Sequence, residues 1–147
     1  MTLRKKRGHS YGEDHADIHA EILDHSIANS YPAEHFANAV CANCRHDVFR
    51  VVLDDAAGCA ARVCASCNSQ HYIGDSAEYA DEADLGDCAC PCTKELFQVA
   101  IGLHLYRESH DVKWLYLGLR CVACGLTAVY GDWKNEYEGY TKLLALV

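Results

Sequence analysis

Cysteine is the residue type with the clearest capacity for chemistry in this sequence, with ten copies in 147 residues. Six of them form three CxxC pairs, which are Cys41/Cys44, Cys64/Cys67 and Cys121/Cys124. A pair at this spacing on a tight turn presents two sulfurs to one ion, and two such pairs complete a tetrahedral site. Disulfides are the alternative use of so many cysteines. No apolar run follows the basic start of the chain, so we expect no signal peptide, a reducing cytoplasmic location and thiolates that bind metal.

The segments around these cysteines occur twice in the sequence. The matching segments are CANCRHDVFRVVL (41–53) with CPCTKELFQVAI (90–101), and CASCNSQHYIGDS (64–76) with CVACGLTAVYGDW (121–133). The first match has an offset of 48 residues and aligns Cys44 with Cys92, whereas the second has an offset of 57. Because the offset grows by nine, the second copy holds nine more residues between its cysteine pairs. We therefore predict a duplicated unit with one insertion.

Each copy has the pattern of a cysteine turn, a β-hairpin, a second cysteine pair and a third strand. DVFRVVL (47–53) predicts a strand with Phe49, Val51 and Leu53 at alternate positions on one face. The other predicted strands are AARV (60–63) and QHYI (70–73) in the first copy, and LFQVAIGLHLY (96–106) and VKWLYLGLR (112–120) in the second.

This pattern resembles the zinc-ribbon class over residues 41–76 and 88–133, without matching a characterised family. The resemblance implies two structural zinc ions per chain, each in a closed site with no open position for a substrate. The expected fold class is α+β, with two tandem zinc-ribbon β units of three short antiparallel strands each, an N-terminal helical segment and a C-terminal helix. The predicted division is a basic tail and N-terminal helices (1–40), ribbon one (41–76), an acidic linker (77–87), ribbon two with an extended hairpin (88–133) and a C-terminal helix (134–147).

The ligand sets follow from the resemblance and the repeat. The first predicted site is Cys41, Cys44, Cys64 and Cys67, and the second contains Cys92, Cys121, Cys124 and one more cysteine of CACPC (88–92). The repeat places Ala89 opposite Cys41, so a neighbouring cysteine must serve. Zinc-ribbon turns often carry proline directly after the first cysteine, which favours Cys90 because Pro91 follows it; Cys88 is the alternative. Cys59 and the remaining cysteine are expected to be packing residues.

The flanking segments supply the remaining predicted elements. RKKR (4–7) is expected to be a mobile tail, and an amphipathic helix is predicted over 13–28 with Ile18, Ile22, Leu23 and Ile27 as its apolar stripe. Pro32 predicts the start of a second helix. The spacing of Trp133, Tyr137, Tyr140, Leu144 and Val147 predicts one face of a C-terminal helix that packs over the ribbons.

The charge distribution is acidic outside the basic segment. The formal net charge is −8, and RKKR holds four of the 13 Lys and Arg residues, so the remainder carries about −12. Each zinc site with four thiolates adds roughly −2. Such a body repels a phosphate backbone and suits a basic protein partner. We therefore expect a protein partner with a basic surface rather than nucleic acid, and no membrane.

The leading functional hypothesis is a non-catalytic protein-binding module with an acidic surface, and its most concrete form is a bacterial immunity protein that neutralises a basic toxin. The predicted partner-binding residues are acidic and aromatic: Tyr79, Asp81, Glu82, Asp84, Trp133 and Tyr137. The first alternative is nucleic-acid binding or transcription-related work. The second is an enzyme with an unrecognised site, for which Asp75 and Asp132, with His71, are the only indication.

Overall fold

The computed structural model describes residues 3–147, so the first two residues of the predicted basic tail lie outside the described residues. Within this range the chain forms ten strands and two α-helices, an α+β arrangement with more strands than the three predicted for each unit. The strands are β1 (Arg4–Lys6), β2 (His9–Tyr11), β3 (His35–Asn38), β4 (Phe49–Asp54), β5 (Cys59–Cys64), β6 (Gln70–Tyr72), β7 (Gly86–Asp87), β8 (Phe97–Leu105), β9 (Val112–Cys121) and β10 (Leu126–Lys134). The helices are α1 (His15–Ala28) and α2 (Tyr140–Leu144), and a short 3-10 helix covers Ser76–Tyr79.

The described strands form one continuous antiparallel sheet in the order β1-β2-β10-β9-β8-β4-β5-β6. Two short strands lie beside this path, where β3 pairs with β8 and β7 pairs with β4. β4 and β8 meet at Phe49 and Phe97, so the two predicted ribbons share a sheet. This continuity explains how thin hairpins bury apolar side chains, because each covers the edge of the other.

The long β8–β9 hairpin carries the core on both of its faces. On one face Val99, Ile101 and Leu117 are fully buried. On the other face α1 packs through Ile18 and Ile22, which are also fully buried. The helix approaches closely because Gly118 has no side chain, and a Cβ there would lie 2.6 Å from Ile18 Cγ2. The helix therefore depends on a glycine in the sheet beneath it.

Helix α1 agrees closely with the helix predicted over 13–28. Asp14 caps its N-terminus, and its Oδ1 accepts a hydrogen bond from the Asp17 amide at 3.1 Å. The predicted stripe is only half buried, since Leu23 and Ile27 are exposed. Within residues 3–147, neither helix is long and apolar enough to span a membrane.

The predicted second helix at Pro32 is wrong, because the residues after it form β3. This strand pairs with β8 from His35 opposite Leu103 to Asn38 opposite Ala100. β4 pairs with β8 only at Phe97, so the rest of that edge offers unpaired backbone groups. Pairing with β3 satisfies them, which outweighs the local helix signal.

The two predictions for the chain ends are also corrected. RKKR is not a mobile tail, because Arg4–Lys6 forms β1 and pairs with β2, which in turn pairs with β10. The C-terminal helix does not include Trp133, which lies in β10 opposite Leu115. Helix α2 covers only Tyr140–Leu144 of the predicted 134–147. Trp133 lies in a strand because β10 pairs with the long strand β9 as far as Lys134. The basic segment is ordered because the other edge of β10 pairs with β2, to which β1 adds.

Candidate metal centres

Eight of the ten cysteines come together in two groups of four within the described residues. The groups are Cys41, Cys44, Cys64 and Cys67, and Cys90, Cys92, Cys121 and Cys124. Within each group all sulfur atoms lie within 4.8 Å of one another. These are the two ligand sets that the sequence predicts when Cys90, and not Cys88, completes the second set.

The first group lies where two tight turns flank the β4–β5 hairpin. One turn precedes β4, and in it the Arg45 amide donates to the Cys41 carbonyl at 2.8 Å. The other follows β5, and there the Asn68 amide donates to the Cys64 carbonyl at 2.9 Å. Arg45 and Asn68 have φ angles of 70° and 63°. The left-handed conformation of Arg45 and Asn68 closes the two turns. In each turn both cysteine sulfurs therefore lie on the same side.

The second group is built on similar turns around the β8–β9 hairpin, although the turn at Cys90 closes over three residues and not four. The Thr93 amide donates to the Cys90 carbonyl at 2.8 Å, and the Gly125 amide donates to the Cys121 carbonyl at the same distance. Thr93 and Gly125 have φ angles of 78° and 84°. Glycine adopts this conformation without steric cost, so Gly125 suits its turn better than a residue with a side chain.

The sulfur–sulfur distances fit a tetrahedral zinc ion and not a disulfide. The sulfur–sulfur distances are 3.6 Å for Cys41–Cys67, 3.5 Å for Cys44–Cys64, 3.5 Å for Cys90–Cys124 and 3.6 Å for Cys92–Cys121. A tetrahedron with Zn–S bonds of about 2.3 Å has sulfurs about 3.8 Å apart. A disulfide needs about 2.05 Å, and all ten cysteines are free thiols. The donor set therefore suits one zinc ion per group.

Hydrogen bonds favour the thiolate form of one cysteine in each group. The Asn43 side chain, followed by Ser69, lowers the pKa of Cys67 to about 5. The Lys94 backbone amide lowers the pKa of Cys92 to about 7. A thiolate is the form that binds metal, so these contacts favour one ligand of each group, whereas burial raises the pKa of Cys90 in the second group. His46 adds a contact in the first group, with Nδ1 3.2 Å from Cys44 Sγ.

The two remaining cysteines lie outside the groups. Cys88 is 7% exposed, and its amide donates to the Val51 carbonyl at 2.9 Å. Burial raises the pKa of the Cys88 thiol to about 11. Cys59 is fully buried and its thiol donates to the Ser76 carbonyl at 3.3 Å. Burial also raises the pKa of Cys59, so both residues are neutral packing groups at neutral pH.

The two groups differ in their access to solvent. In the second group Cys92 and Cys124 are exposed, whereas the corresponding residues of the first group, Cys44 and Cys67, are only partly exposed. The other two members of each group are buried. Solvent and competing ligands therefore reach the second group more easily.

The predicted partner-binding residues do not form one surface patch. Tyr79 is 45% exposed at the end of the 3-10 helix, and Asp81, Glu82 and Asp84 are exposed beyond it. Trp133 is only 7% exposed, and Tyr137 is partly buried against the core. Tyr79 and Trp133 line the same cleft of about 320 Å³. Trp133 is thus part of the wall of the cleft and not a free anchor.

The residues considered for an enzyme serve separate contacts. Asp75 accepts from Asn135 Nδ2 at 3.2 Å, and burial raises the pKa of its carboxyl. Asp132 accepts from Trp114 Nε1 at 2.9 Å and lies 3.0 Å from His25 Nε2. Sequence reasoning missed the His25–Asp132 pair because 107 positions separate the two residues. No local pattern signals a contact of this kind.

Comparison with known proteins adds no relative to these observations. No protein-family model matches the chain, and no curated protein or solved structure matches it significantly.

Proposed function

We propose that each group of four cysteines binds one structural zinc ion, with Cys90 and not Cys88 as the fourth ligand of the second site. The observation that carries the proposal is the approach of four sulfurs within 4.8 Å on paired tight turns. When bound, zinc cross-links the two turns of a hairpin and contributes directly to the free energy of folding. Four protein ligands leave no open position, so the role is structural.

The duplicated unit is part of the same proposal. Phe49 faces Cys64 in the β4–β5 pair, and Phe97 faces Cys121 in the β8–β9 pair. These positions differ by the offsets of 48 and 57 that the sequence match predicts. The turns at Cys41, Cys64 and Cys121 are each closed by a hydrogen bond from the amide four residues further on, which also supports a common origin. The nine additional residues lengthen the β8–β9 hairpin.

Beyond zinc, the proposed role is that of a non-catalytic scaffold that presents an acidic surface to a basic protein. The acidic segment 75–87 is held against the first hairpin, since β7 pairs with β4 and the Asp84 amide donates to Asp54 Oδ2 at 2.8 Å. The amides of Asp84 and then Ala57 lower the pKa of Asp54. The carboxylates of this segment are therefore displayed on ordered backbone.

The exposed side chains of this segment have the chemistry that a basic partner requires. Glu78, Asp81, Glu82, Asp84 and Asp87 are all exposed. Tyr79 lies among them and supplies an aromatic side chain of the kind that often dominates binding energy. Fixed carboxylates accelerate capture of a cationic surface through long-range attraction. An immunity protein that neutralises a basic toxin remains the most concrete form of this proposal, and the acidic surface is its support.

Zinc content tests the first part of the proposal. We expect about two zinc ions per chain by elemental analysis of protein purified without added metal. A folded chain without metal would contradict the zinc sites.

Charge reversal tests the acidic surface. We expect the Asp81→Lys/Glu82→Lys variant to lose a salt-sensitive complex with a basic protein. The Glu95→Lys/Glu108→Lys variant has the same change in charge at exposed positions outside the segment and should keep the complex. If the two variants bind the same basic proteins equally well, the acidic segment is not a specific interface.

A further inference from the structure

Strand β1 places a row of cations at one end of the sheet. Arg4, Lys5 and Lys6 form the strand and Arg7 follows in the turn, and all four are exposed. β1 is the terminal strand of the sheet order, so its outer edge pairs with no strand of the described chain. The Lys5 ammonium lies 3.8 Å from Glu21 Oε1 but stays 68% exposed. The basic segment is therefore an ordered surface.

An aromatic and apolar surface borders these cations. Arg4 and Lys6 are two positions apart in a strand and so share a face of the sheet. Arg4 faces Tyr11 in β2, and Tyr11 in turn faces Leu126 in β10. A cleft of about 350 Å³ continues from Leu126 to Tyr130. Cations beside aromatic faces are the combination with which proteins hold single-stranded nucleic acid, because phosphates pair with the cations and bases stack on the rings.

The local charge stays positive despite the acidic body. A cleft of about 540 Å³ brings Cys124 next to residues 4–7, and a zinc ion with four thiolates carries about −2. The four cations outweigh that charge together with the Glu21 carboxylate beside Lys5. The acidic segment joins the sheet through β7 on β4, which lies five strand positions from β1. At about 4.8 Å per strand this is about 24 Å, several Debye lengths at physiological salt.

We propose that the β1–β2 hairpin and the adjoining end of β10 bind single-stranded nucleic acid, with phosphates along β1 and a base stacked on Tyr11. Tyr11 is partly buried against the core and lines the cleft beside residues 4–7, so a single strand is favoured over a duplex because only an unpaired base can stack on the open part of its ring. The surface is separate from the acidic segment. Its test is therefore independent of the test of the proposed protein partner.

The direct measurement is the fluorescence anisotropy of labelled oligothymidylate of about 20 nucleotides with the zinc-loaded full chain. We expect binding at low salt that weakens as salt rises, with a slope near −0.7 for each phosphate contacted. Arg4→Gln/Lys6→Gln should weaken binding about tenfold and reduce the slope by about 1.4. Tyr11→Leu should weaken binding about fivefold with an unchanged slope, because it removes stacking and no charge.

The control variant is Arg107→Gln/Lys142→Gln, which removes two exposed cations elsewhere and should bind within about twofold of the unchanged chain. Circular dichroism and zinc content verify that each variant is folded. No binding at low salt, an equal loss in the control, or tighter binding to duplex DNA or anionic vesicles would overturn the proposal. The proposal would also be overturned if Arg4→Gln/Lys6→Gln released zinc faster but bound the oligonucleotide with unchanged affinity. The cations of β1 would then serve only to neutralise the charge of the second cysteine group.

Discussion

Phe49 and Phe97 face each other in the pairing that joins β4 to β8. Both rings are fully buried. Each also faces a cysteine of its own hairpin, with Phe49 opposite Cys64 and Phe97 opposite Cys121. One apolar pair therefore connects the strands that carry the two cysteine groups, and we expect the two groups to unfold together.

The Phe97→Ala variant tests this connection. Removal of a fully buried ring should lower the free energy of unfolding by about 3–5 kcal/mol. Denaturant unfolding of the zinc-loaded chain, followed by circular dichroism and by zinc release, should show coincident transitions. Tyr79→Ala is the control and should change stability by about 0.5 kcal/mol or less, since Tyr79 is 45% exposed. Two separated transitions in the unchanged protein would contradict the coupling.

A pair of serine variants decides the fourth ligand of the second site. Cys90→Ser should reduce zinc from two ions to one per chain, because Cys90 Sγ lies 3.5 Å from Cys124 Sγ. Cys88→Ser should keep both ions, because Cys88 lies outside the group. Elemental analysis of the two purified proteins provides the measurement. One zinc in Cys88→Ser together with two in Cys90→Ser would reverse the assignment.

The exposure of Cys92 and Cys124 predicts unequal zinc release. An excess of a coloured chelator should remove zinc in two phases of similar amplitude, with the faster phase from the second group. Cys124→Ser should lose the fast phase and keep the slow one. Release in a single phase, or loss of the slow phase in this variant, would show that exposure does not control access to the metal.

The partly buried imidazole of His15 predicts a pH-dependent stability. Burial lowers the pKa of His15 below its usual value of 6.5, and Asp47, with Oδ2 4.0 Å from His15 Nε2, only partly opposes this. The unfolded chain therefore binds a proton below about pH 6.5 that the folded chain takes up only at lower pH. Stability should fall as the pH decreases through this window and stay level above it.

His15→Gln isolates this contribution from acid-driven zinc loss, which affects both proteins. The difference in unfolding free energy between the variant and the unchanged chain should be constant above about pH 7.5 and shift in favour of the variant below about pH 6.5. Chemical denaturation at several pH values provides the comparison. A constant difference over the whole range would contradict a proton-linked cost at His15.

Local patterns predicted the elements whose hydrogen bonds and packing are themselves local. Helix α1 and the two hairpins occur close to the predicted positions, because periodicity and tight turns act over a few residues. The eight cysteines assigned to two sets also lie together, and their binding of zinc stays a prediction. The helix expected after Pro32 was wrong because the open edge of β8 competes for those residues.

The sequence by itself determined the spacing of the cysteine turns, the hairpins between them and the acidic segment. Each of these features depends only on residues that are close together in the sequence. Only the tertiary structure decided that Arg4–Lys6 adds to the β10 edge through β2, that Trp133 lies in a strand, and that one sheet joins both hairpins. These outcomes depend on strand edges that exist only after the long β8–β9 hairpin forms. Backbone groups on such an edge require partners, and the chain supplies them from segments distant in sequence.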